Sequence, residues 1–222
     1  MKIIEPSFEF ITPVNEEGSK VILKRIEMAA RTCYKSENSI TDNIDSSIKL
    51  ISNLIKRGHE AMLEHASITF KWICDRGVTH ELVRHRLASF AQESTRYCNY
   101  GSGKFNNELT FIKPCFWKEG SNEFNIWKNA CERAETDYLV LIEGGATPQE
   151  ARSILPNSLK TEIVVTMNMR ELRHFLSLRA EVYAHPQMSQ IARPMLEELY
   201  KYMPVLFEDV RERVNNSYIK TS

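Results

Sequence analysis

The densest chemistry in the chain lies between Arg76 and Arg96. Four arginines (Arg76, Arg84, Arg86, Arg96), His80, His85 and four hydroxyls (Thr79, Ser89, Ser94, Thr95) are accompanied there by only two carboxylates, Glu81 and Glu93. Guanidinium forks match the oxygens of a phosphate, and each charge-assisted hydrogen bond contributes roughly 1.5–3 kcal/mol. Three or four of them would hold a nucleotide. The plainer reading is a solvated helix face on which the arginines pair with Glu81 and Glu93 and do no more.

Composition narrows the choice. The 29 basic and 29 acidic side chains cancel, so no global field draws a polyanion such as duplex DNA, and any anion site must be local. With 42% hydrophobic and 26% charged residues the chain is of ordinary globular type, and no Pro/Gly/Ser-rich linker divides it, which reads as one domain over 1–222. No apolar run approaches the ~20 residues needed to cross a bilayer and no signal-like apolar region opens the chain; the expectation is a cytoplasmic protein with no membrane partner. Five scattered cysteines without a C-x-x-C pair fit reduced thiols rather than disulfides or structural zinc.

Other motifs are weaker. His59-Glu60 and Glu64-His65 suggest a metal, but histidines six apart do not share a helix face, so no metal is expected. Cys115 has no neighbouring cation to activate it and reads as a buried, inert thiol. The glycines form no G-x-G-x-x-G, and Gly103-Lys104 lacks the rest of a P-loop. Tyr97, Tyr100 and Phe105 beside the basic segment leave a single-stranded nucleic-acid module as the alternative.

The order of the residues decides between these readings. Arg84-His85-Arg86, seven residues and then Ser94 is the R-H-R-x7-S pattern, followed by Arg96-Tyr97; in this the chain resembles the flavin-dependent thymidylate synthases. The resemblance extends to Gly58-His59-Glu60, to Arg152 after Thr147-Pro148, and to Asn168, His174 and Arg179. It implies reductive methylation of dUMP to dTMP, with methylenetetrahydrofolate as carbon donor and FAD, reduced by NADPH, as hydride source. It also implies a homotetramer with sites at subunit interfaces, and no nucleic-acid partner. Ala61, Arg84, His85, Arg86, Gln92, Asn168, Arg170 and His174 would hold the flavin. Glu81, Leu82, Val83, Arg84, Gln92, Glu93, Ser94, Thr95, Arg96 and Arg152 would surround dUMP. Arg179 would lie against the uracil and stabilise its anion, and Ser94 is the second catalytic candidate, as nucleophile or as hydrogen-bond partner. The chain departs from the family pattern at Glu81, Ala91 and the Ala184-His185-Pro186-Gln187 segment.

These residues need elements to carry them. Ile22, Ile26, Ala29 and Cys33 recur at helical spacing, as do Ile44, Ile48, Ile51 and Ile55 before Gly58, where a left-handed cap is expected. Ile68 to Cys74 alternates as a strand, with Asp75-Arg76-Gly77 as an exit turn and Thr79 capping a short helix that leads into Arg84. Ser89 to Tyr97 reads as an extended loop or edge strand, Asn99 to Gly103 as a turn and Leu109 to Ile112 as a strand. Glu123 to Ile142 is a helix; Thr147-Pro148 starts another, which Pro156 stops. Glu162 to Met167 is a strand, and Asn168 caps a helix with Glu171 at the capping-box position. A last helix spans about Met188 to Val210, bent at Pro194 and Pro204. The expected class is α+β, a small mixed or antiparallel sheet packed by several helices, with a flavin site of non-Rossmann type.

Overall fold

The computed structural model describes residues 1–220. The class is α+β. In chain order the elements are β1 (Lys2–Ile4), β2 (Ser7–Phe10), α1 (Glu16–Cys33), α2 (Ile44–Lys56), β3 (Ser67–Asp75), α3 (Arg76–Leu82) and β4 (Ala88–Gln92). They continue as β5 (Thr110–Ile112), α4 (Asn122–Glu143), α5 (Pro148–Ala151), β6 (Lys160–Asn168), α6 (Met169–Arg179), α7 (Pro186–Tyr202) and α8 (Pro204–Ile219). One sheet has the order β2-β3-β6-β4; the other pairs β1 with β5 in parallel, Lys2 opposite Thr110.

The chain forms two compact units. The first holds Met1–Ser7, Trp72–Arg84 and Ala91–Val164, the second Phe8–Lys71, His85–Phe90 and Val165–Ser222. In the first, Tyr100, Leu109, Phe111, Cys131, Tyr138, Ala151 and Leu159 make one buried cluster. In the second, α6, α7 and α8 pack on one another and bury Leu172, Phe175, Leu196, Leu199 and Phe207, each at 1% exposure or less. Full burial of one such side chain stabilises by roughly 1.5–3 kcal/mol.

Helix α1 turns inward a slightly different stripe from the one its pattern suggests. Ile22, Ile26 and Ala30 are buried, but Cys33 is exposed and Glu27 takes an inner position. That buried carboxylate is satisfied by Ser47 Oγ (2.6 Å), Lys24 Nζ (3.0 Å), Ser46 Oγ (3.2 Å) and Arg31 Nη2 (3.3 Å), which join α1 to the first turn of α2. Burial by itself would raise its pKa; the hydrogen bonds and charges of Ser47, Lys24 and Arg31 outweigh it and hold the group below the usual carboxylate value. In α2, Ile51 and Leu54 are buried whereas Ile48 is exposed. Gly58 follows with φ +71°, its N–H on the Ile55 carbonyl, as a left-handed cap requires.

Two expectations about the elements change. Asp75-Arg76-Gly77 is not an exit turn: Asp75 caps α3 itself, Oδ1 accepting from Val78 N at 2.7 Å, and Thr79 lies inside the helix with its hydroxyl on the Arg76 carbonyl. A short polar side chain at the last position of β3 served as cap, and the candidate four residues later was not needed. The terminal segment is two helices, because Met203 leaves helical geometry (φ −136°, ψ 56°) and Pro204, which lacks an N–H, restarts the chain as the first residue of α8. Pro194 stays inside α7. Segment Ser89–Tyr97 begins as the edge strand β4 and leaves it after Gln92.

Candidate functional site

In the second unit, β6 ends at Asn168 and turns directly into α6. Asn168 Oδ1 accepts from Glu171 N at 2.9 Å, so the cap residue fixes where the helix begins. The start of α6 opens on a cleft of about 680 Å³, whose lining includes Glu60, Leu87, Asn168, Arg170, His174 and Arg213. Such a volume is in the range of small-molecule sites.

Side chains from α6 set the electrostatics of this cleft. Arg173, buried, grips Asp209 of α8 with Nη1 and Nη2 at 2.8 Å each, and also reaches Glu60 Oε1 (3.3 Å) and the Leu206 carbonyl. Arg170 Nη1 lies 2.6 Å from Glu64 Oε1 at the rim. The carboxylates Glu60, Glu64 and Asp209 are therefore matched by guanidinium groups, and the exposed His174 and Arg213 add further donors. The cleft thus carries carboxylates and guanidinium groups together, with room for a small-molecule ligand.

His85 is the buried member of the Arg84-His85-Arg86 motif; Arg84 and Arg86 are exposed on either side of it. Its ring stands edge-on to Phe175 with centroids 5.0 Å apart. Nε2 lies 3.1 Å from Arg179 Nε and Nδ1 lies 3.0 Å from Glu171 Oε1. A guanidinium has no acceptor, so Nε2 must be the bare nitrogen, and the proton sits on Nδ1 and is donated to Glu171. Burial and the Arg179 charge push the His85 pKa below its ordinary value, against the opposing pull of Glu171. Both the contacts and this shift favour the neutral ring.

Of the remaining flavin candidates, Ala61 lies exposed in a 3₁₀ turn over Glu60–His65. Gln92 is in the first unit, its amide donating to Thr79 Oγ1 (3.0 Å) and Thr161 Oγ1 (3.2 Å).

The first unit gathers the nucleotide candidates less completely. Thr95, buried, accepts from Arg152 Nη1 at 3.4 Å, and Ser94 Oγ accepts from Arg96 N at 3.3 Å in the turn that follows β4. Thr95 and Arg152 make a hydroxyl–guanidinium pair, while the Arg96 guanidinium lies over the Tyr97 ring at 5.4 Å. Arg152 is delivered by α5, whose start Thr147 and Glu150 close as a capping box. Glu93 is committed elsewhere, accepting from Tyr100 Oη (2.8 Å) and Lys160 Nζ (2.9 Å). Glu81 is half-buried, Leu82 is wholly buried in α3 and Val83 is exposed after it.

Tyr100 packs edge-on to Phe105 and tilted on Tyr138 inside the core of this unit, Phe105 is partly buried against it, and Tyr97 is 78% exposed. Cys115, expected to be buried, is exposed; partial desolvation still raises its thiol pKa, with Asp75 and Glu5 adding to the effect. Glu171, Arg173, Asp209 and Glu60 were not among the site residues read from the sequence. The signal for Glu171 was its spacing, four before Phe175 and eight before Arg179 on one helix face.

Among the described residues no helix is long and apolar enough to cross a membrane, and no group of three His, Cys, Asp or Glu side chains could hold a metal. The family model of the thymidylate synthase complementing proteins matches residues 20–205. The chain is similar to the flavin-dependent thymidylate synthase of Pyrococcus abyssi, 38% identical over 184 residues, 81% of this chain and 75% of that one. To the Geobacter sulfurreducens enzyme it is 32% identical over 189 residues, covering 83% and 80%. With the Pyrococcus furiosus relative the match is 40% identical over 154 residues and spans 62% of that relative's length. Among solved structures it is similar to the UMP/dUMP methylase PolB of Streptomyces cacaoi bound with 5-Br dUMP: TM-score 0.73, 26% identity, 94% of this chain and 96% of that one.

Proposed function

Because the chain belongs to the family of thymidylate synthase complementing proteins, the flavin-dependent thymidylate synthases, we propose that it reductively methylates dUMP to dTMP. In this reading methylenetetrahydrofolate gives the carbon, and FAD reduced by NADPH gives the hydride. The observation that carries it is the hydrogen bond from Arg179 to His85. It links the R-H-R motif to the arginine that the resemblance assigns to the uracil.

The chain's own tasks are placement and charge stabilisation. Bound flavin supplies the two electrons, as hydride, that no side chain can provide. Asn168, Arg170 and His174, with Arg84, His85, Arg86, Gln92 and the Ala61 backbone, are the residues that would hold it, and Arg170, now paired with Glu64, would supply a guanidinium to its negative groups. Ser94, Thr95, Arg96 and Arg152 bind the dUMP phosphate, while Glu81, Leu82, Val83 and Glu93 bound the nucleotide. Arg179 places a fixed positive charge where the uracil ring becomes anionic.

We assign Ser94 to hydrogen bonding rather than attack. Among the described residues no side-chain base hydrogen-bonds its Oγ, and an unactivated serine is a weak nucleophile. The assembly in this reading is a cytoplasmic homotetramer with sites at subunit interfaces.

The test is the absorption spectrum of the purified protein. Retained or reconstituted flavin, with a visible band that dUMP perturbs, supports both sites; a protein that takes up no flavin in either redox state overturns the reading.

A further inference from the structure

Glu171, Phe175 and Arg179 occupy positions i, i+4 and i+8 of α6 and so share one helix face, spanning about 12 Å along the axis. Their side chains converge on one ring. His85 lies edge-on over Phe175 at the middle of that face, and the two charged residues reach it from opposite ends, Glu171 at Nδ1 (3.0 Å) and Arg179 at Nε2 (3.1 Å). His85 and Glu171 are both buried, at 7% exposure each, so an unmet ring N–H there would stay unmet. Glu171 also has its backbone held, its N–H on the Asn168 cap. The carboxylate is thus fixed at both its chain and its ring end.

We propose that Glu171 is a positioning residue for the reaction: by accepting the Nδ1 proton of His85 it selects the tautomer whose Nε2 accepts from Arg179, and so fixes the direction of the Arg179 guanidinium. The inference rests on the reading that Arg179 serves the uracil ring. Arg179 can only donate, so the one neutral form of His85 compatible with it carries its proton on Nδ1, and that proton needs an acceptor. Glu171 supplies one. With the Nε nitrogen of Arg179 committed to His85, the plane of the guanidinium is set before any ligand arrives, and orientation does not have to be paid for in the transition state. His174, the other titratable ring near His85, stands 6.0 Å away and tilted, beyond hydrogen-bond reach of it.

The test starts with the wild-type protein. Long-range ¹H–¹⁵N correlation spectra of ¹⁵N-histidine-labelled protein, with the His85 signals identified by loss in His85→Gln, report which nitrogen carries the proton. At pH 7.5 the expected form is neutral with the proton on Nδ1; a proton on Nε2, or an imidazolium, overturns the proposal whether or not any variant folds. The second arm compares Glu171→Gln and Glu171→Leu with wild type. Glutamine keeps a carbonyl for the Nδ1–H and should preserve the spectrum and turnover within a few-fold. Leucine should disperse the His85 signals between forms and lower kcat roughly 10- to 100-fold, the scale seen when an outer partner of a functional histidine is removed, with KM for dUMP changed far less. A folded Glu171→Leu protein with the wild-type His85 spectrum and wild-type kcat sinks the positioning role, while leaving flavin binding and dTMP formation by the wild type to be judged on their own.

Discussion

Arg179 donates its Nε–H to Nε2 of His85 across 3.1 Å, joining the last turn of α6 to the middle of the R-H-R motif, ninety-four residues away in sequence. A charge held in this way is of use where negative charge develops during reaction. Removing one donor of that kind typically costs on the order of 100- to 1000-fold in rate. Arg179→Ala is expected to retain flavin and to lose turnover by that factor, measured as dTMP formed per enzyme; near-normal turnover contradicts the role.

The same contact gives a pH dependence with a definite sign. Burial, the first cause, and the Arg179 charge hold the His85 pKa below its ordinary 6.5. Below about pH 6.5 the unfolded chain therefore binds a proton that the folded chain does not, and stability is lost as pH falls toward the folded value. Once protonated, Nε2 can no longer accept from Arg179. The expected profile is turnover that is constant above pH 7 and declines through an apparent pKa below 6.5. A decline centred above 7 would assign the titration to another group.

Arg152 donates to Thr95 within the first unit, so its substitution should act on the nucleotide group. One charge-assisted hydrogen bond of roughly 1.5–3 kcal/mol corresponds to about a 10- to 150-fold change in affinity. Arg152→Ala is expected to weaken dUMP binding within that range, read by titration of the flavin spectrum, and to leave flavin content unchanged.

The elements were legible in the sequence wherever one face meets one core. β3 and β6 alternate cleanly, and Ile68, Phe70, Trp72, Ile163 and Val165 are all at 0% exposure. Boundaries set by a single side chain were less so: Asp75 caps α3 from the last position of β3, which no periodicity records. Strands β1 and β5 hold together by register rather than by pattern, and each is only three residues long. In the site, the motif residues could be named but their partners could not. Glu171 and Asp209 look like ordinary helix-surface carboxylates until folding brings His85 and Arg173 against them. Those pairings join residues 86 and 36 positions apart, and nothing local encodes them.

Asp209 couples α8 to α6 through Arg173. Burial alone would raise its pKa, but the Arg173 hydrogen bonds and charge outweigh that and hold it below the ordinary 3.8. A carboxylate depressed in the folded state stabilises above its unfolded pKa, and that contribution disappears as pH falls through the folded value. Asp209→Asn should reduce unfolding free energy at pH 7 by at most about 1 kcal/mol, since the Asp209 side chain is 55% exposed, solvent screens the pair, and Glu60 still faces Arg173. The difference from wild type should shrink below pH 4. Urea denaturation at both pH values checks it; an equal difference at pH 3 would show that packing, not charge, is responsible.

Cys115 is exposed, and its thiol is held in the protonated form. A thiol needs a lowered pKa to act as a nucleophile. Cys115→Ala should keep wild-type kcat within a few-fold; loss of dTMP formation with flavin still bound would make Cys115 part of the chemistry.

The most direct measurement is an anaerobic single turnover. Protein loaded with reduced FAD is mixed with dUMP and methylenetetrahydrofolate, and flavin absorbance is followed while product is quantified. The account predicts one dTMP formed for each flavin oxidised, and no oxidation when dUMP is omitted. Flavin that stays reduced with all components present, or dTMP that appears without flavin oxidation, would contradict it.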